Sequence, residues 1–163
     1  MTGHLSFRLL AAPLAGSLIA ALLMISHTSC SPSQKLANTK DAQRLVVRLD
    51  RSPCFGPCPT YTFSLYAEGH ATYDGRRFTT LEGQHHAHAT AEQLDRILTV
   101  ARALQFSELD SIYDDPRVMD LPAQTFTIEE HCVLNRYGGP DLSPLLDAIE
   151  SVVAELNWRP LEE

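Results

Sequence analysis

Positive charge is scarce in this chain. Its 163 residues carry 13 Lys and Arg against 20 Asp and Glu, a formal net charge of −7. No basic run follows the N-terminal segment, so binding to phosphate backbones is disfavoured and no nucleic-acid partner is expected. The chain also lacks a phosphate-binding glycine loop, a dinucleotide glycine motif, a nucleophile elbow and a His-Glu-x-x-His pair. We therefore read it as non-catalytic, with no cofactor. It has no internal repeat and no low-complexity tract beyond a short linker. What is present is ordinary for a globular protein: 44% of residues are hydrophobic and 20% charged.

The N-terminal thirty residues have the order of a secretory signal. Arg8 supplies a positive charge, Leu9 to Ile25 form an apolar run containing Pro13 and Gly16, and Ser26 to Cys30 close it with mostly small polar residues. The run is short for a helix that must span about 20 apolar residues of bilayer. Cys30 suits the lipid-bearing cysteine of a bacterial lipoprotein, with Thr28 and Ser29 before it and Ser31-Pro32-Ser33-Gln34 as a tether after it. His27 departs from this pattern, since such signals usually carry an apolar residue there. An uncleaved anchor or an ordinary signal-peptidase site is the alternative, but no Ala-x-Ala precedes the end of the run. The expectation is a signal over 1–30, a linker over 31–43 and one globular domain over 44–160. A lipid anchor would hold that domain at a membrane in the cell envelope, and Ser31 after the cysteine favours an outer-membrane lipoprotein facing the periplasm or the surface. Two or three acyl chains anchor stably where one binds only marginally.

Past the linker the pattern has period two. Leu45, Val47 and Leu49 share one face of a strand over 44–50, and Tyr61, Phe63 and Leu65 share one face over 60–67. Glu68-Gly69 predicts a turn, His70 to Tyr73 a return strand, and Asp74-Gly75 a second turn. Segments 77–81 and 84–89 extend the meander. The period then changes. Thr90 with Gln93 is a capping box, and Leu94, Ile97, Leu98, Ala101 and Leu104 fall on one helical face. An irregular acidic stretch over 107–120 follows, then strands over 124–128 and 131–137. Ser143 as cap and Pro144 in the first turn open a second helix, whose stripe is Leu145, Ile149, Val152 and Leu156. Trp158 and Pro160 close it. The expected fold is α+β, an antiparallel sheet of about five or six strands in the order ββββαββα, with both helices packed on one face.

Cys54 and Cys58 are the most distinctive pair. In an oxidising compartment they join into a very small ring between the first two strands, stabilising by about 1–3 kcal/mol. Their alternative use is as the dithiol of a thiol–disulfide oxidoreductase. Such dithiols have two intervening residues and open a helix, whereas here three intervene and a strand follows. Cys132 is left over, and it could instead pair with Cys54 or Cys58. Together, Cys54-Phe55-Gly56-x-Cys58-Pro59, Tyr61, Gly69, Tyr73-Asp74-Gly75, Phe106, Tyr113 and Asp120-Leu121-Pro122 resemble an uncharacterised bacterial family of domains of unknown function. That family is often found in predicted lipoproteins and opens with a Cys-Phe-Gly-x-Cys-Pro signature. The resemblance covers Arg44 to Leu156. It implies the domain boundaries and an exported setting, and adds no mechanism.

His85, His86 and His88 form a second cluster. On a strand, His86 and His88 project from one face and could share Zn²⁺ or Cu²⁺. A third ligand would have to come from elsewhere, such as His70, His131 or a carboxylate. The competing reading is an exposed polar edge strand, and it is preferred. Asp110, Asp114, Asp115 and Asp120 lack the spacing and central glycine of a calcium loop and read as a solvated loop. The leading expectation is thus a membrane-tethered envelope domain that binds an envelope protein or ligand or plays a structural part. A periplasmic metal-binding module and a thiol oxidoreductase are its rivals.

Overall fold

A computed structural model of the protein describes residues 43–161. The signal segment, Cys30 and the linker lie outside the described residues. Eight strands form one sheet: β1 (Leu45–Arg51), β2 (Thr60–Tyr66), β3 (His70–Arg77), β4 (Gly83–His88), β5 (Ile112–Tyr113), β6 (Gln124–Ile128), β7 (His131–Asn135) and β8 (Arg159–Pro160). Their order across the sheet is β5-β7-β6-β1-β2-β3-β4-β8. Every neighbouring pair is antiparallel except β5 with β7. Helix α1 (Ala91–Ala103) lies between β4 and β5, and α2 (Ser143–Glu155) between β7 and β8. No helix among the described residues is long and apolar enough to cross a membrane.

The alternation in the sequence selects one buried face. Val47, Leu49, Phe63, Leu65, Ala71, Phe126 and Val133 are completely or almost completely buried. The pairings Leu49 with Phe63 and with Phe126 place them side by side. Ile97 and Ala101 of α1 and Leu145, Ile149 and Val152 of α2 complete the same core. Burial of side chains of this size contributes about 1.5–3 kcal/mol each. Helix α1 starts as the capping box predicts. The Thr90 hydroxyl accepts from the Gln93 N–H at 3.2 Å, and the Gln93 carboxamide accepts from the Thr90 N–H at 2.9 Å.

Several sequence expectations need correction. The sheet has eight strands rather than five or six, and the element order is ββββαβββαβ. The two additional strands are two residues each, too short for a period to register, and β8 contains Pro160, which cannot donate to a ladder. Asp74-Gly75 is not a turn: β3 runs through it to Arg77. A Cβ on Gly75 would stand 1.8 Å from the Leu81 carbonyl oxygen, so glycine serves a close backbone approach there. The register of β1 shifts between Leu45 and Val47, which buries both Val46 and Val47. Ser143 is not the cap of α2 but lies within its first turn, and the Asp141 carboxylate accepts from the Ser143 N–H at 2.9 Å. Trp158 does more than follow the helix. Its indole N–H donates to the Val153 carbonyl at 2.8 Å, and its ring packs 5.6 Å from Tyr73 and 6.3 Å from Phe63.

Glu155 joins the two helices. Its carboxylate accepts from the Arg96 guanidinium and from the Gln93 carboxamide. The Arg96 bond, then the Gln93 bond, hold the carboxyl down from 4.5 to about 2. A depressed carboxyl stabilises the fold above its unfolded value and loses that contribution as pH falls through the folded value. Glu155→Gln should therefore lower the melting temperature slightly at pH 7. It should also flatten the acid dependence of stability between about pH 4.5 and 2, read by thermal denaturation across that range. A variant with unchanged acid dependence would show that this contact is too solvated to matter.

Candidate functional site

Strand directions gather five features at one end of the sheet. β1 and β3 run toward it, β2, β4 and β6 start from it, and β5, β7 and β8 end there. It therefore carries the β1–β2 loop (52–59), the β3–β4 loop (78–82), the segment from β5 to β6 (114–123), the segment after β7 (136–142), and Leu161. All seven large hydrophobic residues that are exposed among the described ones fall on this end or beside it. Phe55, Phe78, Met119, Leu121 and Tyr137 sit on the four segments, Leu161 follows β8, and Ile112 lies on the edge strand β5. Phe55 is 96% exposed and Met119 79%. At the opposite end the chain enters the sheet, where the Arg44 carbonyl accepts from the Ala67 N–H at 2.9 Å.

The β1–β2 loop is built to hold Phe55 outward. Cys54 and Cys58 are joined, with Cα atoms 5.7 Å apart. The Gly56 N–H lies 3.2 Å from the Cys54 sulfur, and the Thr60 hydroxyl donates to the Cys58 carbonyl at 3.3 Å. The root of the loop is tied to the neighbouring segment by a reciprocal pair. The Ser52 N–H donates to the Ala123 carbonyl at 2.9 Å, and the Ala123 N–H donates to the Ser52 hydroxyl at 2.8 Å. The segment carrying Leu121 and Pro122 is thereby tied to the root of the cystine loop. No helix begins after Cys58; β2 does. The electropositive helix end that activates a redox dithiol is not supplied by the following element. Cys132 is free and exposed on β7 opposite Thr127, so the alternative pairings with Cys54 or Cys58 are not formed.

Beneath this end the Glu150 carboxylate of α2 accepts from the Arg51 guanidinium and, at 2.8 Å, from the Tyr61 hydroxyl. The Tyr61 ring stacks on Tyr73 at 5.0 Å. Burial pushes the Tyr61 hydroxyl well above its usual range, and the adjacent Glu150 charge pushes it further. That hydroxyl is a fixed donor, not a base. The trio fastens α2 to the strand ends that carry the loops.

The histidines are spread over both faces. His86 and His88 lie on the open face of β4, while His85 is buried on the core face. His70 stands directly opposite His88, although its ring lies 5.6 Å from the Tyr66 ring. His131 is turned to the core, with Nε2 2.9 Å from the Leu109 carbonyl oxygen and its ring edge-on to Phe106. Among the described residues, no three His, Cys, Asp or Glu side chains converge to hold a metal. In the acidic stretch, Asp115 pairs with Arg117 and Asp114 with Arg136. Sequence spacing hides the Arg51–Tyr61–Glu150 trio, because Glu150 lies 99 residues from Arg51 and 89 from Tyr61. It also hides the gathering of exposed apolar side chains, which only strand direction reveals.

The profile of a family described as "Domain of unknown function (DUF6438)" matches residues 45–156. The chain belongs to that family. No curated protein and no solved structure matches it. The DUF6438 match begins with β1 and ends at the C-cap of α2, so it includes the cystine loop and the Arg51–Tyr61–Glu150 trio. Trp158 and β8 lie beyond it.

Replacing Cys54 and Cys58 together by Ser should cost about 2 kcal/mol, the loop-closure entropy of so small a ring. Chemical denaturation without reductant checks it. An unchanged midpoint would mean that Pro53, Pro57 and Pro59 already hold the loop.

Proposed function

We propose that this protein is an exported envelope domain, tethered to a membrane through a lipid on Cys30, that binds a partner protein through its apolar loop end and performs no catalysis of its own. The observation that carries the reading is segregation. Among the described residues, the large exposed apolar side chains lie at or beside the end of the sheet opposite the point where the chain enters it. Single exposed apolar residues are ordinary, whereas a gathering of them marks an interaction surface. Aromatic and methionine side chains are also the types enriched at protein interfaces. The small cystine ring further supports an oxidising compartment. A domain held from one end leaves its far end free to meet a partner, and Ser31 after the lipid cysteine favours the outer membrane as the site of that meeting.

Two measurements test this. Peptide mapping without reduction, on protein taken from its native envelope, should find Cys30 lipid-modified and Cys54 joined to Cys58; an unmodified Cys30 would remove the tether. A photo-crosslinking residue in place of Phe55 should give a discrete adduct in the intact envelope, whereas the same residue in place of Glu68, at the chain-entry end, should give none. Met119→Ser should reduce the Phe55 adduct several-fold. Equal labelling from both ends would overturn the assignment of the binding surface.

A further inference from the structure

The face of the sheet not covered by the helices carries a second, different surface. Its side chains form a grid set by the strand register. One row reads Arg48, Ser64, Thr72, His86 across β1 to β4, and the next reads Asp50, Thr62, Asp74, Gln84. Short side chains occupy the middle of both rows, and longer ones stand around them. Ser64 is only 3% exposed although it faces away from the core. The result is a concavity of about 410 Å³ with Arg48, Asp50, Ser64, Tyr66, Thr72 and Arg76 among its lining residues. That volume falls in the range of small-ligand sites.

Its electrostatics are specific. Two guanidinium groups and two carboxylates line it, Arg48 and Arg76 against Asp50 and Asp74, so their charges cancel and an ion gains nothing from the net field. The opposite charges are close without being closed. Arg48 lies 3.8 Å from Asp50, and Arg76 lies 3.5 Å from Asp50 and 3.6 Å from Asp74. These separations exceed the 2.7–3.2 Å of a made hydrogen bond. The Thr62 hydroxyl instead bridges the set, accepting from Arg76 at 2.9 Å and donating to Asp50. Much of the donor and acceptor capacity of the charged groups is therefore unspent. The Tyr66 ring, 5.6 Å from His70, forms an aromatic wall at one side.

We propose that this concavity binds a neutral, polyhydroxylated ligand: a short oligosaccharide segment whose hydroxyls take up the open positions of Arg48, Asp50, Asp74 and Arg76 and whose ring face lies on Tyr66. Balanced charge disfavours a phosphate or carboxylate ligand, and the hydroxyl-rich floor disfavours an apolar one. Ser64 and Thr72 keep the floor low enough for a ring to enter. The site is independent of the apolar loop end: it lies on the side of the sheet, and its lining shares only Leu161 with the crowd of exposed apolar residues.

The test is calorimetric titration of the full mature chain with three neutral probes: an N-acetylglucosamine trimer, a cellotriose and a maltotriose. At least one should bind saturably. Ser64→Val raises the floor by a methyl-bearing side chain that a strand accommodates well, and Gln84→Ala removes a rim group without touching the core. Ser64→Val should weaken binding at least tenfold and Gln84→Ala several-fold, with melting temperatures unchanged. No saturable binding of any probe would overturn the proposal. So would binding that Ser64→Val leaves intact, since the ligand would then sit elsewhere.

Discussion

Two helices can cover only one face of this sheet. That constraint organises the rest of the molecule. The inward residues of β1, β2, β3, β6 and β7 meet Ile97, Ala101, Leu145, Ile149 and Val152 in one core, and the outward residues must then be polar or small. Arg48, Asp50, Thr62, Ser64, Thr72 and Asp74 follow as the partners, one residue displaced, of Val47, Leu49, Phe63, Leu65, Ala71 and Tyr73. A one-residue slip of any strand would exchange the two sets. The buried face thus fixes the register, and the register in turn fixes the grid of polar side chains on the other side.

The same constraint explains why the exposed apolar residues stand where they do. Neither face can hold them: one is full, and the other is set to polar residues by alternation. Loop ends are the remaining place, and one end of the sheet carries four connecting segments of five to ten residues. The opposite end carries the tight turns at Glu68-Gly69 and Glu129-Glu130, the entering chain and the segment 104–111 that leads into β5. The long loops are themselves restrained. The cystine closes one, the Ser52–Ala123 pair binds it to its neighbour, and Glu150 anchors the strands beneath through Arg51 and Tyr61. Restraint of this kind lowers the ordering cost that a loop would otherwise meet on binding.

Much of the fold was legible from period and punctuation. The strands over Leu45, Thr60 and Gln124, the Thr90 capping box and the stripe Leu145, Ile149, Val152 and Leu156 needed only local rules. The misses share a cause. Ile112-Tyr113 and Arg159-Pro160 became strands because a tertiary neighbour offered them hydrogen bonds, not because two residues can express a period. Asp74-Gly75 has turn chemistry, yet the glycine is spent on the approach of Leu81 within a continuous strand. For the candidate surfaces, the residue types were visible but their placement was not. Phe55, Phe78, Met119 and Tyr137 are unrelated in sequence and meet only through strand direction. Ser64 and Thr72 look like ordinary polar positions until their neighbours in the register are known.

The cystine loop can be judged against its two possible roles on this basis. A redox dithiol needs a thiolate stabilised by positive potential, and the element following Cys58 is a strand whose first residues are buried. A structural ring needs something to hold in place, and this one holds a nearly fully exposed phenyl ring at the tip of a loop whose root is bonded to the adjacent segment. An exposed Phe costs solubility and contributes nothing to the core. Its confinement by a covalent ring is hard to account for if the loop serves the fold alone, because Ala or Ser at position 55 would close the same ring. On the reading proposed above, the ring presents that side chain to a partner rather than serving only as a clasp for the sheet.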